Sequence, residues 1–311
     1  MIVTVGENII DLVRNPDGLF AAVPGGSPYN LAIAAARLGA PAGYAMPISN
    51  DFFGDQLAAT LEANGVAYLP TARPARPTGL AFVDIGADGQ PSYAFYREQA
   101  ADVAIAAAEL PALGAEVDVV EVGGAPALGN KECGPVLCEW LLNLDEAVPL
   151  ALDPNVRPAL VDDKQSFLER CDAICARALV CRLSDEDAEY MYGSLAPDAV
   201  LDLLLGKGVA LAVITLGAKG AMLATAEART RVEIPDRGLP VQDTIAAGDC
   251  FFAALLASLR ADGRLNAGAL RGLDAAGLGS LGDFCVAAAQ INCSRTGCNP
   301  PTRGEVEELL R

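Results

Sequence analysis

The chain has 311 residues, 52% hydrophobic and 20% charged, which is enough for one large domain and too apolar for a disordered polymer. It contains no histidine, which excludes a Ser-His-Asp triad, a Cys-His pair, an HExxH zinc site and an imidazole proton shuttle; any general base is Asp, Glu, Lys, Tyr or Cys. The net charge of −18 argues against nucleic acid and anionic membrane surfaces as partners, and an anionic substrate would need backbone N–H groups, a few arginines or a metal ion.

The apolar, β-branched run at 2–9 reads as a buried parallel strand with Asp11 beyond its carboxyl end; no basic segment precedes it, so it does not read as a signal peptide. A glycine-rich turn, Pro24-Gly25-Gly26-Ser27-Pro28, enters a helix at 30–38 that Gly39 closes. A strand at 41–48 and a helix at 52–64 follow. Residues 68–98 break the rhythm: a Pro- and Arg-rich stretch at 71–77 precedes strands at 79–85 and 91–96, joined by the hairpin signal Ala87-Asp88-Gly89. With 18–23 they predict a small antiparallel sheet, set apart as a lid.

From 98 onward strands at 117–122, 148–153, 178–182 and 210–216 alternate with helices near 131–143, 163–175, 185–191 and 196–206. A hairpin at 219–225 and 229–234, apolar helices at 247–259 and 273–291, and a helix at 302–310 complete the chain. The expectation is one α/β domain over 1–311, with a doubly wound, mostly parallel sheet covered by helices on both faces and an inserted lid at 18–23 and 68–98. The nine cysteines have no CxxC spacing and read as reduced, mostly buried thiols of a cytoplasmic protein. No apolar stretch is long enough to span a bilayer.

Three segments are candidates for chemistry. Asp243-Thr244-Ile245-Ala246-Ala247-Gly248-Asp249 runs directly into an apolar helix. Small residues at 246–248 let a ligand approach the backbone, and the N–H groups of a first helical turn would form an anion hole. Asp249 is a poor ligand for such an anion and a sensible base for an attacking hydroxyl, although an ordinary N-capped helix also accounts for the segment. Gly25-Gly26-Ser27-Pro28-Tyr29-Asn30 is neither a Walker loop nor GxGxxG; it is a simple turn, or a grip in which Asn30, with Asp11 from a neighbouring strand end, holds sugar hydroxyls. Thr215-Leu216-Gly217-Ala218-Lys219-Gly220 is a hairpin turn or a seat for a nucleotide phosphate or ribose.

Together these segments resemble the PfkB, or ribokinase-like, family of carbohydrate kinases. One signature covers Gly25, Gly26, Asn30 and Ala32, then Ala36-Arg37-Leu38-Gly39 and Asp51-Phe52-Phe53-Gly54; the second covers 243–249. The resemblance implies ATP-dependent phosphoryl transfer to a sugar hydroxyl, with Asp249 as the base and the N–H groups of Ala246, Ala247, Gly248 and Asp249 holding the charge on the transferred group. It further implies sugar contacts from Asp11, Gly25, Gly26 and Asn30, a nucleotide site at Thr215, Gly217 and Gly220, and Mg²⁺ bridging the phosphates through water. The family's Asn-x-x-Glu stretch falls on Ser184-Asp185-Glu186-Asp187, which makes Asp187 the metal-side acid, or Glu186 one residue out of register, and puts Ser184 beside the nucleotide. Arg182 stands where a Lys is usual, and Ala246 where Gly is usual. The lid would close over the sugar, exclude water and pair with a second copy in a homodimer.

Asp153-Pro154-Asn155-Val156-Arg157-Pro158 and Tyr96-Arg97-Glu98-Gln99-Ala100-Ala101-Asp102 are similar to stretches of bacterial fructokinases and 2-keto-3-deoxygluconate kinases. This likeness puts Asn155 and Arg157 near the transferring group. Arg97 is then a partner for a sugar carboxylate, a donor to fructose hydroxyls, or a lid-surface charge. The Ala100-Ala101-Asp102 ending and residues 292–301 look more like fructokinase, with Gly297 shaping the adenine pocket or a K⁺ site. The leading expectation is conversion of fructose to fructose 6-phosphate. Behind it stand a ketodeoxygluconate kinase, a ribokinase or nucleoside kinase, and a non-catalytic sugar sensor, the last disfavoured by Asp249.

Overall fold

The computed structural model describes residues 1–15, 17–85 and 91–311. The first part of the chain forms β1 (Ile2–Val5), β2 (Ile9–Arg14), β3 (Phe20–Gly25), α1 (Ser27–Arg37), β4 (Ala42–Tyr44), α2 (Phe52–Ala63), β5 (Ala67–Tyr68), β6 (Gly79–Ile85) and β7 (Pro91–Tyr96). The middle forms β8 (Val119–Gly123), α3 (Ala125–Leu128), α4 (Cys133–Leu142), β9 (Leu150–Asp153), α5 (Lys164–Cys175), β10 (Ala178–Ser184), α6 (Asp185–Tyr192) and α7 (Pro197–Gly206). The last part forms β11 (Leu211–Thr215), β12 (Ala221–Ala224), β13 (Arg229–Val232), α8 (Ala247–Ala261), α9 (Ala267–Arg271), α10 (Ala275–Cys293) and α11 (Arg303–Leu309).

Nine strands make one sheet in the order β13-β12-β11-β10-β9-β8-β1-β4-β5. All its pairs from β11 to β5 are parallel, and β12 and β13 add an antiparallel hairpin at one edge. Its central strands β1, β8 and β9 are buried along their whole length, as apolar strands covered on both faces must be. Helix α8 packs on both α1 and α10 and is buried along nearly all its length. That packing brings the start of α8 beside the start of α1, which sets up the site. Seven of the nine cysteines are buried. Among the described residues no helix is long and apolar enough to cross a membrane.

The expected strand at 2–9 is two strands in two sheets. A Cβ at Gly6 would stand 2.2 Å from the Gly123 carbonyl oxygen and 2.4 Å from Pro28 Cγ, so the chain slips between β8 and α1 only because that residue is glycine. Ile9 and Ile10 then open β2 in the second sheet, and Asp11 lies within that strand rather than beyond a core strand's end. Apolar character continues across the break because both sheets bury it.

The second sheet has the order β3-β2-β6-β7. Its outer pairs are antiparallel hairpin partners, and its central pair β2–β6 is parallel, from Ile9 opposite Gly79 to Val13 opposite Val83. Register puts Asp11, Val23, Ala81 and Phe95 in one row of one face, and Val13, Ala21, Val83 and Tyr93 in the next. The opposite face carries Leu12, Phe20, Phe82 and Tyr96, with Phe82 edge-on to both Phe20 and Tyr96. The turn signal at 87–89 lies outside the described residues.

Candidate active site

Helix α8 begins at Ala246, which adopts a left-handed conformation (φ 58°, ψ 17°) and is given no side-chain cap. The N–H groups of a first turn have no partner within their own helix, so an uncapped start is open to an anion. Ala247 is an exception to the expected set of four, because its N–H is turned back onto the Thr244 carbonyl at 3.2 Å. Gly248 serves in a second way: a Cβ there would meet an Arg182 nitrogen at 2.7 Å, so its absence lets the guanidinium lie against the helix end.

Arg182, on β10, donates to Asp153 Oδ2 at 2.8 Å and to Thr215 Oγ1 at 2.5 Å. The Arg182 and Asp153 side chains are 7% and 0% exposed, so the pair is fully withdrawn from water. Burial nevertheless pushes the Asp153 carboxyl up to about 6, against the pull of Arg182. A fixed cation therefore stands beside the uncapped helix start, where developing negative charge would gain most from it.

Asp249, in the first turn of α8, is 5% exposed. Its Oδ1 accepts the Ser27 hydroxyl at 2.7 Å and its Oδ2 accepts Asn30 Nδ2 at 3.0 Å. Asn155 Nδ2 donates to Ser27 Oγ at 2.9 Å and reaches Asp249 Oδ1 at 3.4 Å. Burial pushes the Asp249 carboxyl upward; hydrogen bonds from Asn30 and Ser27 and the charges of Arg182 and Arg157 oppose this. The two sequence signatures thus meet at one carboxylate. Ser27 has no role in the sequence reading, and its only signal there is a hydroxyl at the first helical residue after the Gly-Gly turn.

Gly25 and Gly26 earn their places sterically. A Cβ at Gly25 would stand 2.4 Å from Asp11 Oδ2, and one at Gly26 would stand 2.3 Å from the Glu7 carbonyl oxygen. The Asp11 carboxylate consequently lies against this turn. Burial pushes its carboxyl up to about 6, with Arg157 pulling the other way. Arg157 also acts on Asp249, and Tyr93 lies in the field of Arg157, Asp11 and Asp243. Arg157 is thus close enough to both Asp11 and Asp249 for its charge to act on each.

Several expected roles change. Arg97 does not lie free on the surface: its Nη2 donates to Asp102 Oδ2 at 2.5 Å, and the two side chains are 8% and 1% exposed. The turn closed by Ala100 N–H on the Arg97 carbonyl folds Asp102 back beneath β7, and Asn8 N–H donates to the same carboxylate. Asp187 is a backbone clamp. Its Oδ1 accepts Val156 N–H at 2.6 Å and its Oδ2 accepts Ser184 N–H at 2.9 Å. The Ser184 hydroxyl caps α6 by accepting Asp187 N–H. Glu186 is exposed. Among the described residues no group of three or more Cys, Asp or Glu side chains could hold a metal ion.

In the segment expected to seat a nucleotide, Thr215 is tied to Arg182, and the left-handed Gly217 (φ 53°) faces open space. Gly220 is structural: a Cβ would stand 1.9 Å from the Val232 carbonyl oxygen, where β12 meets β13. Gly297 donates its N–H to Asp243 Oδ2 at 2.8 Å, and Asn292 Nδ2 donates to the Ile245 carbonyl at 2.8 Å. These bonds pin the loop that leads into α8. Glu121, unmarked in the sequence reading, is fully buried on β8 with neither carboxyl oxygen hydrogen-bonded. Burial first, then Asp153, Asp249 and Glu7, push its carboxyl well above the usual range. A charged residue inside a buried parallel strand was its available signal.

Residues 1–303 match the profile described as pfkB family carbohydrate kinase. A fructokinase from Rhizobium leguminosarum bv. trifolii is 37% identical over 279 residues, covering 88% of this chain and 84% of that protein. Probable fructokinase-4 of Arabidopsis thaliana is 31% identical over 332 residues, covering 100% of this chain and 97% of that protein. The crystal structure of fructokinase with bound ATP from Xylella fastidiosa matches with a TM-score of 0.84 at 27% identity, covering 99% of this chain and 98% of that one.

Proposed function

The chain belongs to the pfkB family of carbohydrate kinases, and from that premise we propose that it transfers the γ-phosphoryl group of ATP to fructose, giving fructose 6-phosphate. The observation that carries this reading is the pairing of a buried, oriented carboxylate, Asp249, with an uncapped helix start flanked by Arg182. Asp249 takes the proton of the acceptor hydroxyl on a carboxylate oxygen. The N–H groups of Gly248 and Asp249, with Arg182 and Arg157, hold the charge on the group in transit. Asn30 Oδ1 is buried with no hydrogen-bond partner, so it is poised to accept a sugar hydroxyl while its Nδ2 holds Asp249. Asp11 accepts further hydroxyls from the opposite side.

ATP, bound with a divalent cation such as Mg²⁺, supplies the phosphoryl group. The cation would be carried by phosphate and water oxygens, since the acids near the site are spent on backbone and arginine partners. Fructose is preferred over an acid sugar because Arg97 is already neutralised by Asp102. In this reading the second sheet is a lid within a single domain over 1–311. Its outer face carries the Phe20, Phe82 and Tyr96 cluster, with Tyr96 64% exposed, and serves as the contact between two copies in a homodimer. The buried thiols suit a reducing cytoplasm.

An ADP-release assay with Mg-ATP across fructose, 2-keto-3-deoxygluconate, ribose and adenosine tests the assignment. Fructose is expected to give the highest kcat/KM; absence of turnover with every acceptor would overturn it. Asp11 adds a pH signature. Its carboxyl, raised to about 6, accepts hydroxyls on both oxygens when ionised and exchanges part of that acceptor capacity for a donor when protonated. The KM for fructose is thus expected to be level above neutrality and to rise up to about ten-fold per pH unit below 6. Asp11→Asn should remove that slope, and a flat KM in the parent from pH 5 to 8 would contradict the role.

A further inference from the structure

We propose that Ser27 is a positioning residue for the phosphoryl-transfer base, its hydroxyl being aimed by Asn155 so that one oxygen of Asp249 is held in a fixed orientation toward the acceptor. The proposal rests on the kinase reading above.

Ser27 is 8% exposed, and its own N–H is fixed on Glu7 Oε1 at 3.0 Å. A hydroxyl has one proton and two lone pairs. Asn155 Nδ2 occupies a lone pair at 2.9 Å, which directs the proton to Asp249 Oδ1 at 2.7 Å. Asn155 is itself set by a left-handed backbone (φ 41°) and by its N–H bond to Asp153 Oδ1. A non-glycine residue in that region is held there by its surroundings. The result is a relay of fixed bonds from Asp153 through Asn155 and Ser27 to Asp249. With Asn30 on Oδ2, and Ser27 at 2.7 Å backed by a longer Asn155 contact at 3.4 Å on Oδ1, both carboxylate oxygens are held by donors and their remaining lone pairs are presented in a set direction.

A donor on the ionised form also favours that form. The titratable groups that face Asp249 are Arg182 of β10, Arg157 of the loop after β9, Asp153 of β9 and Glu121 of β8, with the thiols of Cys250 and Cys298 nearby. From α1 it meets Ser27 and Asn30, neither of which titrates. Removing the Ser27 donor therefore moves the base upward in pH, where fewer molecules are competent at a given acidity.

The test compares the parent with Ser27→Ala, Ser27→Cys and Ser27→Thr, using fructose and Mg-ATP. Loss of a charge-assisted hydrogen bond corresponds to about ten-fold. Ser27→Ala is expected to lower kcat by about that factor, leave KM for fructose nearly unchanged, and shift the acid limb of the kcat–pH profile up by about half to one unit. Ser27→Thr should restore the limb, and Ser27→Cys, a weaker donor, should fall between. An unmoved acid limb in Ser27→Ala overturns the proposal, whether kcat holds or falls. A raised KM with parental kcat overturns it by making Ser27 a sugar contact. A parent that phosphorylates no sugar overturns the kinase reading instead, which separates the two failures.

Discussion

Asp249→Asn is expected to lower kcat about 100- to 10,000-fold, the range a positioned general base supplies, while fructose affinity stays within a few-fold. The substitution keeps the size of the side chain and removes only its capacity to take a proton. Ser27 and Asn30 both donate to the carboxylate oxygens of the parent, so the amide of the variant meets one donor with its own donor group and one contact is lost. The hydroxyl-accepting atoms of Asp11 and Asn30 remain, and these carry sugar binding. Steady-state kinetics give the first quantity and calorimetric titration of fructose the second. Parental turnover, or loss of sugar binding without loss of turnover, would contradict the assignment.

Arg182→Met is expected to cost about 3–5 kcal/mol of folding stability, because it strands a charge that has no access to water. Asp153 is fully buried and, even with Arg182 beside it, has its carboxyl raised to about 6 from an unfolded value near 3.8. A carboxyl raised in the folded state contributes most below its unfolded value, and that contribution is lost as pH climbs through the folded one. Loss of the guanidinium raises the folded value further. The gap between parent and variant should therefore be widest near pH 8 and narrow toward pH 5. Urea unfolding at both pH values checks the sign, and equal stability at pH 8 would show that the pair contributes nothing. Activity should fall as well, since the same guanidinium borders Gly248 and holds Thr215.

The strand–helix alternation was legible because apolar runs and glycine stops are local. What was not legible depends on contacts between distant segments. Hydropathy reports that Ile9 and Ile10 are buried but not which sheet buries them, so the sequence shows no break at Gly6, and Asp11 reads as lying past the end of a core strand rather than within β2. The charge on Arg97 was visible, but the turn that returns Asp102 to it was not. Asp187 carries an acid where the family places one, yet its oxygens answer to Val156 and Ser184 N–H groups. The site's centre was readable for the opposite reason. Asn30 and Asp249, 219 positions apart, each belong to a short motif recognisable without the other. Ser27 belongs to no such motif, and only the fold brings its hydroxyl to the carboxylate.

The second sheet is assembled from two stretches of chain, 9–25 and 79–96, with α1, β4, α2 and β5 of the main layer made in between. No single pair of cuts would release it as a module. An engineer exchanging substrate preference between relatives must transplant both stretches at once and preserve the joints at Gly6 and Gly26. On a ribosome, likewise, the first hairpin emerges with the β2 edge bare, and that edge stays open to stray association until residues 79–85 arrive to cover it.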